Sequence, residues 1–153
     1  MSKILIIEDD EGIREGLSAL LLTSNYLPLV LDLNYISVEK IQELSPDLIL
    51  LDINLPNING RDFVREIRKS LNTPIIMVTS HNTEMDEALA ISYGADDFIA
   101  KPYNPTILLL RIAAILRRSN LASEIKTYRG LQIDLKKGTI SSVKKPGKTI
   151  ELT

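Results

Sequence analysis

The sequence predicts a doubly wound α/β fold, in which helices cover both faces of a five-stranded parallel sheet. Short apolar runs alternate along the chain with amphipathic segments of helical length. Several of these runs are apolar throughout, as expected for strands buried on both faces. The chain has 153 residues, of which 44% are hydrophobic, so it is long enough for one complete core.

The first half of the chain contains three predicted strands and three predicted helices. Helical spacing of Ile13, Leu17 and Leu20 supports the first helix. Pro28 suits the start of a strand or a sheet edge, and Pro46 disfavours helix at the residue before it. The predicted elements are a strand over Lys3–Ile7, a helix over Glu11–Thr23, a strand over Leu27–Leu33, a helix over Tyr35–Leu44, a strand over Leu48–Leu51 and a helix over Arg61–Lys69.

The second half continues the alternation of strands and helices. Gly94 suits the C-terminal cap of one helix, and Pro105 suits the first turn of the next. The predicted elements are a strand over Ile75–Val78, a helix over Glu84–Tyr93, a strand over Phe98–Ala100 and a helix from Asn104-Pro105 to about Arg118. The flavodoxin-like strand order 2-1-3-4-5 then places the first strand beside the third.

The C-terminal part differs from the rest in charge and pattern. Residues 1–118 carry 11 Lys and Arg against 17 Asp and Glu, whereas residues 119–153 carry 7 against 3. The segment TYRGLQIDLKKGTISSVKKPGKTIELT alternates β-prone stretches with turns, which predicts an antiparallel meander. We therefore expect a first domain over residues 1–118, a linker over 119–126 and a small sheet over 127–153.

Composition excludes several kinds of site. The chain has no cysteine and one histidine, His81, which excludes disulfides, thiolate zinc sites and clusters of histidine ligands within this sequence. The N-terminal segment MSKILIIEDD becomes acidic after a few apolar residues, so it resembles neither a signal peptide nor a membrane span. We expect a cytoplasmic protein without a membrane partner.

Acidic residues follow the first and third predicted strands. The carboxyl ends of parallel strands meet at one edge of the sheet, so Glu8, Asp9 and Asp10 are expected to approach Asp52. Clustered carboxylates repel one another, and a divalent cation would neutralise them. The predicted ligands are all oxygens, from Asp9, Asp52 and a following backbone carbonyl with Asn54 as the candidate, which suits Mg²⁺ or Mn²⁺.

A hydroxyl and a lysine follow the fourth and fifth predicted strands. Thr79 follows the fourth strand and Lys101 the fifth, so both are expected to face Asp52. A cation, a lysine and a hydroxyl around one aspartate form a clamp for a phosphoryl group, which predicts Asp52 as a nucleophile that forms an aspartyl phosphate. Each feature alone has an ordinary structural explanation, such as helix capping; the prediction depends on their joint occurrence.

Four segments together resemble the receiver domain of bacterial two-component response regulators: ILIIEDDEGIRE, LILLDINLPNINGRDFVREIR, PIIMVTS and GADDFIAKPYNP. The resemblance covers residues 3 to about 118. It implies that a histidine kinase phosphorylates Asp52, with Glu8 and Asp9 as the acidic metal pair and Lys101 as the phosphate contact. It also implies that Thr79 and Phe98 form a switch, although relatives commonly have tyrosine at the second position. The chain would then catalyse only its own phosphorylation and dephosphorylation.

The C-terminal segment is similar to the first sheet of the winged-helix effector in OmpR/PhoB-type transcription factors. The resemblance implies that the natural protein continues beyond Thr153 and binds promoter DNA. It also implies a homodimer through the fourth helix, fifth strand and fifth helix after activation. The residues expected on this dimer face are Asp97 with Arg111, Asp96 with Arg118, and the apolar Ile91 and Leu108. Ordinary core packing is the alternative explanation for the two apolar residues. Ile107 departs from the family pattern, which has an acidic residue there.

Three other functions fit part of the sequence pattern. A receiver without an effector would act through protein contacts alone, and the C-terminal segment argues against it. An aspartyl-phosphate phosphatase of the haloacid dehalogenase type would need a second aspartate two residues after the nucleophile on the first strand, which Asn54 on the third does not supply. A flavodoxin-like cofactor binder would need a phosphate-cradling loop where this chain has acidic residues.

Overall fold

The computed structural model describes the backbone of residues 1–80, 84–129, 133–134, 139–142 and 145–151, and the side chains of residues 1–80 and 88–121. The chain divides into two compact units, Met1–Ile115 and Leu116–Thr153. The division into a domain over 1–118, a linker over 119–126 and a sheet over 127–153 stays a prediction.

The first unit contains the predicted parallel sheet. Its strands and a small hairpin are β1 (Lys3–Ile7), β2 (Leu27–Val30), β3 (Leu48–Leu51), the hairpin β4 (Asn54–Leu55) and β5 (Ile58–Asn59), then β6 (Ile75–Thr79) and β7 (Asp97–Ala100). The sheet order is β2-β1-β3-β6-β7, with every pairing parallel. This is the predicted 2-1-3-4-5 order, numbered differently because the unpredicted hairpin intervenes, so the fold prediction is confirmed.

The described residues form five α-helices: α1 (Glu11–Thr23), α2 (Val38–Leu44), α3 (Gly60–Arg68), α4 (Glu84–Ser92) and α5 (Pro105–Arg129). The prediction that β2 reaches Leu33 is wrong, because the side chain of Asp32 accepts a hydrogen bond from the Asn34 N–H and starts a 3-10 turn there. Ser37 caps α2, which therefore begins later than predicted. Helix α5 passes its predicted end near Arg118, since residues 119–129 contain neither glycine nor proline.

The core lies on both faces of the sheet. All four residues of β3 and the last four of β1 are buried, which explains why these runs are apolar without alternation. Ile7 pairs with Leu51 in the ladder, and the Asp52 N–H donates to the Ile7 carbonyl at 3.0 Å. The two strands consequently end together, and the residues that follow them meet at one sheet edge.

Arg68 makes hydrogen bonds at the opposite end of the sheet, where β6 and β7 begin. Its guanidinium donates to the carbonyls of Thr73 at 2.6 Å and Gly94 at 2.8 Å, and it contacts the Asp96 carboxylate at 2.7 Å. The same carboxylate accepts the Ile75 N–H at 2.8 Å. These contacts join the end of α3 to the starts of β6 and β7, so Asp96 is already engaged within its own chain.

The second unit contains the predicted antiparallel meander. Strands β8 (Ile133–Asp134), β9 (Thr139–Ser142) and β10 (Lys145–Glu151) form a three-stranded sheet of order β10-β9-β8. This part of the fold prediction is also confirmed. Among the described residues, no helix has the length and apolar character needed to cross a membrane.

Candidate functional site

Three carboxylates meet where β1 and β3 end. Glu8 is 4% exposed and Asp52 is 7% exposed, whereas Asp9, which directly follows Glu8, is exposed. Each of the three residues offers one carboxylate oxygen, and these oxygens lie within 4.8 Å of one another. Such an all-oxygen cluster can hold a hard divalent cation.

Lys101 lies between the two buried carboxylates. Its Nζ is 2.7 Å from Glu8 Oε2 and 2.9 Å from Asp52 Oδ2. Strand β7 delivers this lysine, and the Lys101 N–H donates to the Thr79 carbonyl at 2.8 Å. Glu8 follows β1, Asp52 follows β3 and Lys101 follows β7 and is bonded to the end of β6. The ends of four sheet strands therefore position one ammonium group beside one pair of carboxylates.

The loop after β1 is held by contacts that the sequence did not reveal. The Asp10 N–H donates to Glu8 Oε1 at 3.2 Å, and the Asp10 carboxylate caps α1 through the Ile13 N–H at 2.9 Å. The Arg14 guanidinium donates to the carbonyls of Glu8 at 3.0 Å and Asp9 at 3.1 Å. Arg14 is thus a positioning residue, and its only signal in the sequence is its place one turn into the helix after an acidic run.

The loop after β3 depends on a glycine. The Asn54 N–H donates to Asp52 Oδ1 at 3.0 Å, which orients the carboxylate. A Cβ at Gly60 would lie 2.7 Å from Ile53 Cα and 2.8 Å from the Asp52 carbonyl oxygen. The start of α3 therefore packs against the backbone of the Asp52 loop, and only glycine fits there. Nothing in the sequence alone revealed this close approach, because it joins Gly60 to the backbone of Asp52 and Ile53.

Burial and hydrogen bonding act in opposite directions on the pKa values of Glu8 and Lys101. Burial raises the pKa of the Glu8 carboxyl to about 6, although hydrogen bonds from Lys101 and the Asp10 N–H favour the ionised form. Burial alone would lower the pKa of Lys101, but its hydrogen bonds to Glu8 and Asp52 raise it above the ordinary value. Lys101 is therefore a permanent cation at neutral pH.

The structure brings four predicted site residues together: Glu8, Asp9, Asp52 and Lys101. Thr79 is fully buried at the end of β6, and Phe98 is buried in β7 opposite Met77. The switch roles of Thr79 and Phe98, and the Asn54 carbonyl as a ligand, stay predictions.

The predicted dimer face is partly exposed. Asp97 and Arg111 form an ion pair at 2.9 Å within one chain, and Ile91 and Arg118 are exposed. Leu108 is 0% exposed, so its predicted place on this face is wrong. It lies on the side of α5 that packs into the core.

A family model described as the response regulator receiver domain matches residues 4–113. The chain is 42% identical over 137 residues to the response regulator ArlR of Staphylococcus saprophyticus, covering 88% of this chain and 60% of that protein. It is 35% identical over 159 residues to the transcriptional regulatory protein CpxR of Klebsiella pneumoniae, covering 100% of this chain and 68% of that protein. The chain thus spans about three fifths of the length of the first relative.

The fold is similar to that of solved receiver domains. The BeF3-activated N-terminal receiver domain of RstA from Klebsiella pneumoniae has a TM-score of 0.72 and is 34% identical, covering 76% of this chain and 99% of that one. The N-terminal domain of the nisin resistance regulator NsrR, a lantibiotic response regulator, has a TM-score of 0.69 and is 40% identical, covering 76% and 98%.

Replacing Gly60 with alanine should disturb the site through the backbone. The added Cβ has to displace the Asp52 loop, so we expect Gly60→Ala to lower the free energy of unfolding by about 1 to 3 kcal/mol and to weaken cation binding. Urea denaturation and titration with Mn²⁺ measure the two effects. Gly16→Ala is the matched control, because its Cβ meets open space and alanine favours helix. Equal stability of the two variants would contradict the packing described.

Affinity of the acidic cluster for a divalent cation should fall at low pH. Protonation of Glu8 removes one negative charge below a pH of about 6, so the Mn²⁺ dissociation constant should rise about tenfold between pH 7 and pH 5. Titration calorimetry across this pH range measures the Mn²⁺ dissociation constant. The Glu8→Gln variant has no carboxylate to protonate at this position, so its dissociation constant should change less. A constant affinity from pH 5 to pH 7 would show that Glu8 does not contribute.

Proposed function

The chain belongs to the response regulator receiver family, and from that premise we propose that Asp52 accepts a phosphoryl group from a histidine kinase. The phosphorylated domain then activates a DNA-binding effector in the whole protein. Asp52 reacts once per signalling cycle, so the domain is a phosphoacceptor and catalyses only its own phosphorylation and dephosphorylation.

One observation carries the proposal: the Lys101 ammonium contacts both Glu8 and Asp52 beside the exposed carboxylate of Asp9. An acidic cluster alone would repel a phosphoryl group, and a lysine alone would bind any anion. Together they supply a nucleophile, a cation site and a positive group for the phosphoryl oxygens within one pocket.

Each site residue has a separate role in the proposed phosphoryl transfer. An oxygen of Asp52 attacks phosphorus, Lys101 donates hydrogen bonds to the phosphoryl oxygens, and the Asn54 N–H holds the other Asp52 oxygen in position. The oxygen ligands of Glu8, Asp9 and Asp52 fit Mg²⁺ or Mn²⁺, which neutralises charge on the carboxylates and the phosphoryl group when bound. The Asn54 carbonyl is proposed as a further ligand.

Signalling follows from a two-state equilibrium. Thr79 ends β6, whose neighbour β7 carries Phe98, so a hydroxyl drawn towards phosphorylated Asp52 leaves space into which the aromatic ring can rotate. Phosphorylation favours the active state only to the extent that it stabilises that state more than the other. Arg14 and Gly60 keep the reacting loops rigid while the switch moves.

The proposed partners are a sensor histidine kinase, a second copy of the chain and, in the whole protein, promoter DNA. The similarity to a protein named a transcriptional regulatory protein supports the last of these. Within the first unit, the exposed Ile91 and the partly exposed ion pair of Asp97 with Arg111 support a homodimer through α4, β7 and α5. A cytoplasmic location belongs to the same proposal.

Phosphorylation is tested by treating the chain with phosphoramidate or acetyl phosphate in the presence of Mg²⁺. We expect one phosphoryl group per chain, which mass spectrometry locates on Asp52 and which hydroxylamine releases as expected for an acyl phosphate. Asp52→Asn should abolish the modification, whereas Asp62→Asn, which changes an exposed aspartate on α3, should retain it. Modification of the Asp52→Asn chain at wild-type level would overturn the assignment.

A further inference from the structure

A groove of about 560 Å³ opens beside the phosphoacceptor site within the first unit. Its lining residues come from α1, from the end of β6 and from the loop after β7, and they are Ile13, Gly16, Ser80, Lys101, Pro102 and Tyr103. Lys101 lines the groove and also contacts Glu8 and Asp52, so the groove adjoins the carboxylate site. The proposed function uses no other part of the groove.

Gly16 is the residue of this groove that the fold does not explain. A glycine inside a helix weakens the helix relative to alanine, and it is usually kept where another group approaches closely. A Cβ at Gly16 would meet nothing within 4 Å, so no part of the described chain requires glycine there. The space that its missing side chain leaves open belongs to the groove.

Size and chemistry indicate a small occupant. The volume lies in the range of about 300 to 1,000 Å³ that is typical of small-molecule sites. The walls formed by Ile13, Pro102 and Tyr103 are mainly apolar, whereas Lys101 at one end is cationic. This arrangement suits a molecule with an apolar body and an anionic group directed towards Asp52.

We propose that the groove binds the acyl group of a small acyl phosphate and so makes apolar acyl phosphates preferred direct phosphoryl donors to this chain. The inference rests on the proposed phosphorylation of Asp52. An Asp52 oxygen forms the new bond to phosphorus, the bond between phosphorus and the acyl oxygen breaks, and the acyl group leaves as a carboxylate with the electron pair. No proton transfer or oxidant is required for this balance.

The test compares acetyl, propionyl and butyryl phosphate with phosphoramidate, whose leaving group is ammonia and contains no carbon. The chain has no tryptophan, so Phos-tag electrophoresis follows the rate of phosphorylation. We expect the second-order rate constant to rise with acyl length, by up to about fourfold for each methylene that the groove removes from water. Equal rate constants for the three acyl phosphates would overturn the proposal.

A matched pair of variants locates the effect. Gly16→Leu fills the groove and should remove the dependence on acyl length while leaving the reaction with phosphoramidate intact. Ala19→Leu adds the same side chain at an exposed position of α1 outside the groove and should keep the dependence. A Gly16→Leu chain that still prefers butyryl phosphate would overturn the proposal. Failure of phosphoramidate to modify wild-type Asp52 would instead contradict the proposed function itself.

Discussion

The ammonium of Lys101 between Glu8 and Asp52 is the interaction on which the site depends. Two buried carboxylates at the ends of adjacent strands repel each other, and desolvation adds to that cost. A single positive group at 2.7 and 2.9 Å makes their proximity tolerable. In the proposed function, a cation binds on the Asp9 side of these three charges and an anion binds beside Lys101.

The sheet supplies the geometry that this interaction needs. Pairing of Ile7 with Leu51 aligns the ends of β1 and β3, and β7 delivers Lys101 to the same edge. Arg68 secures the opposite edge through backbone carbonyls and Asp96. Asp96 and Asp97 are thus both paired within one chain, so a dimer that uses Asp97 with Arg111 across the interface has to exchange an existing ion pair for an equivalent one.

Much of this arrangement could be predicted from the sequence because it follows from strong patterns. Continuous apolar runs predict the buried strands, and the rule that parallel strands end at one edge predicts that Glu8, Asp9, Asp52 and Lys101 lie together. Some of the remaining features depend on contacts between segments that are distant in sequence. Others depend on local side-chain hydrogen bonds that compete with the regular structure of a strand. The close approach at Gly60 involves the backbone of Asp52 and Ile53, and the early end of β2 results from a cap by Asp32. Leu108 was misplaced because an apolar residue on α5 suits either a core or an interface until its helical face is known.

The central claim is that one pocket holds both the cation and the phosphoacceptor. A crystal structure of the chain grown with Mn²⁺ tests it directly, because the anomalous signal locates the ion. We predict a peak within about 2.6 Å of carboxylate oxygens of Asp9 and Asp52, the range of oxygen ligands around hard divalent cations. A fully occupied Mn²⁺ site elsewhere, with Asp52 outside the coordination shell of the ion, would contradict the account.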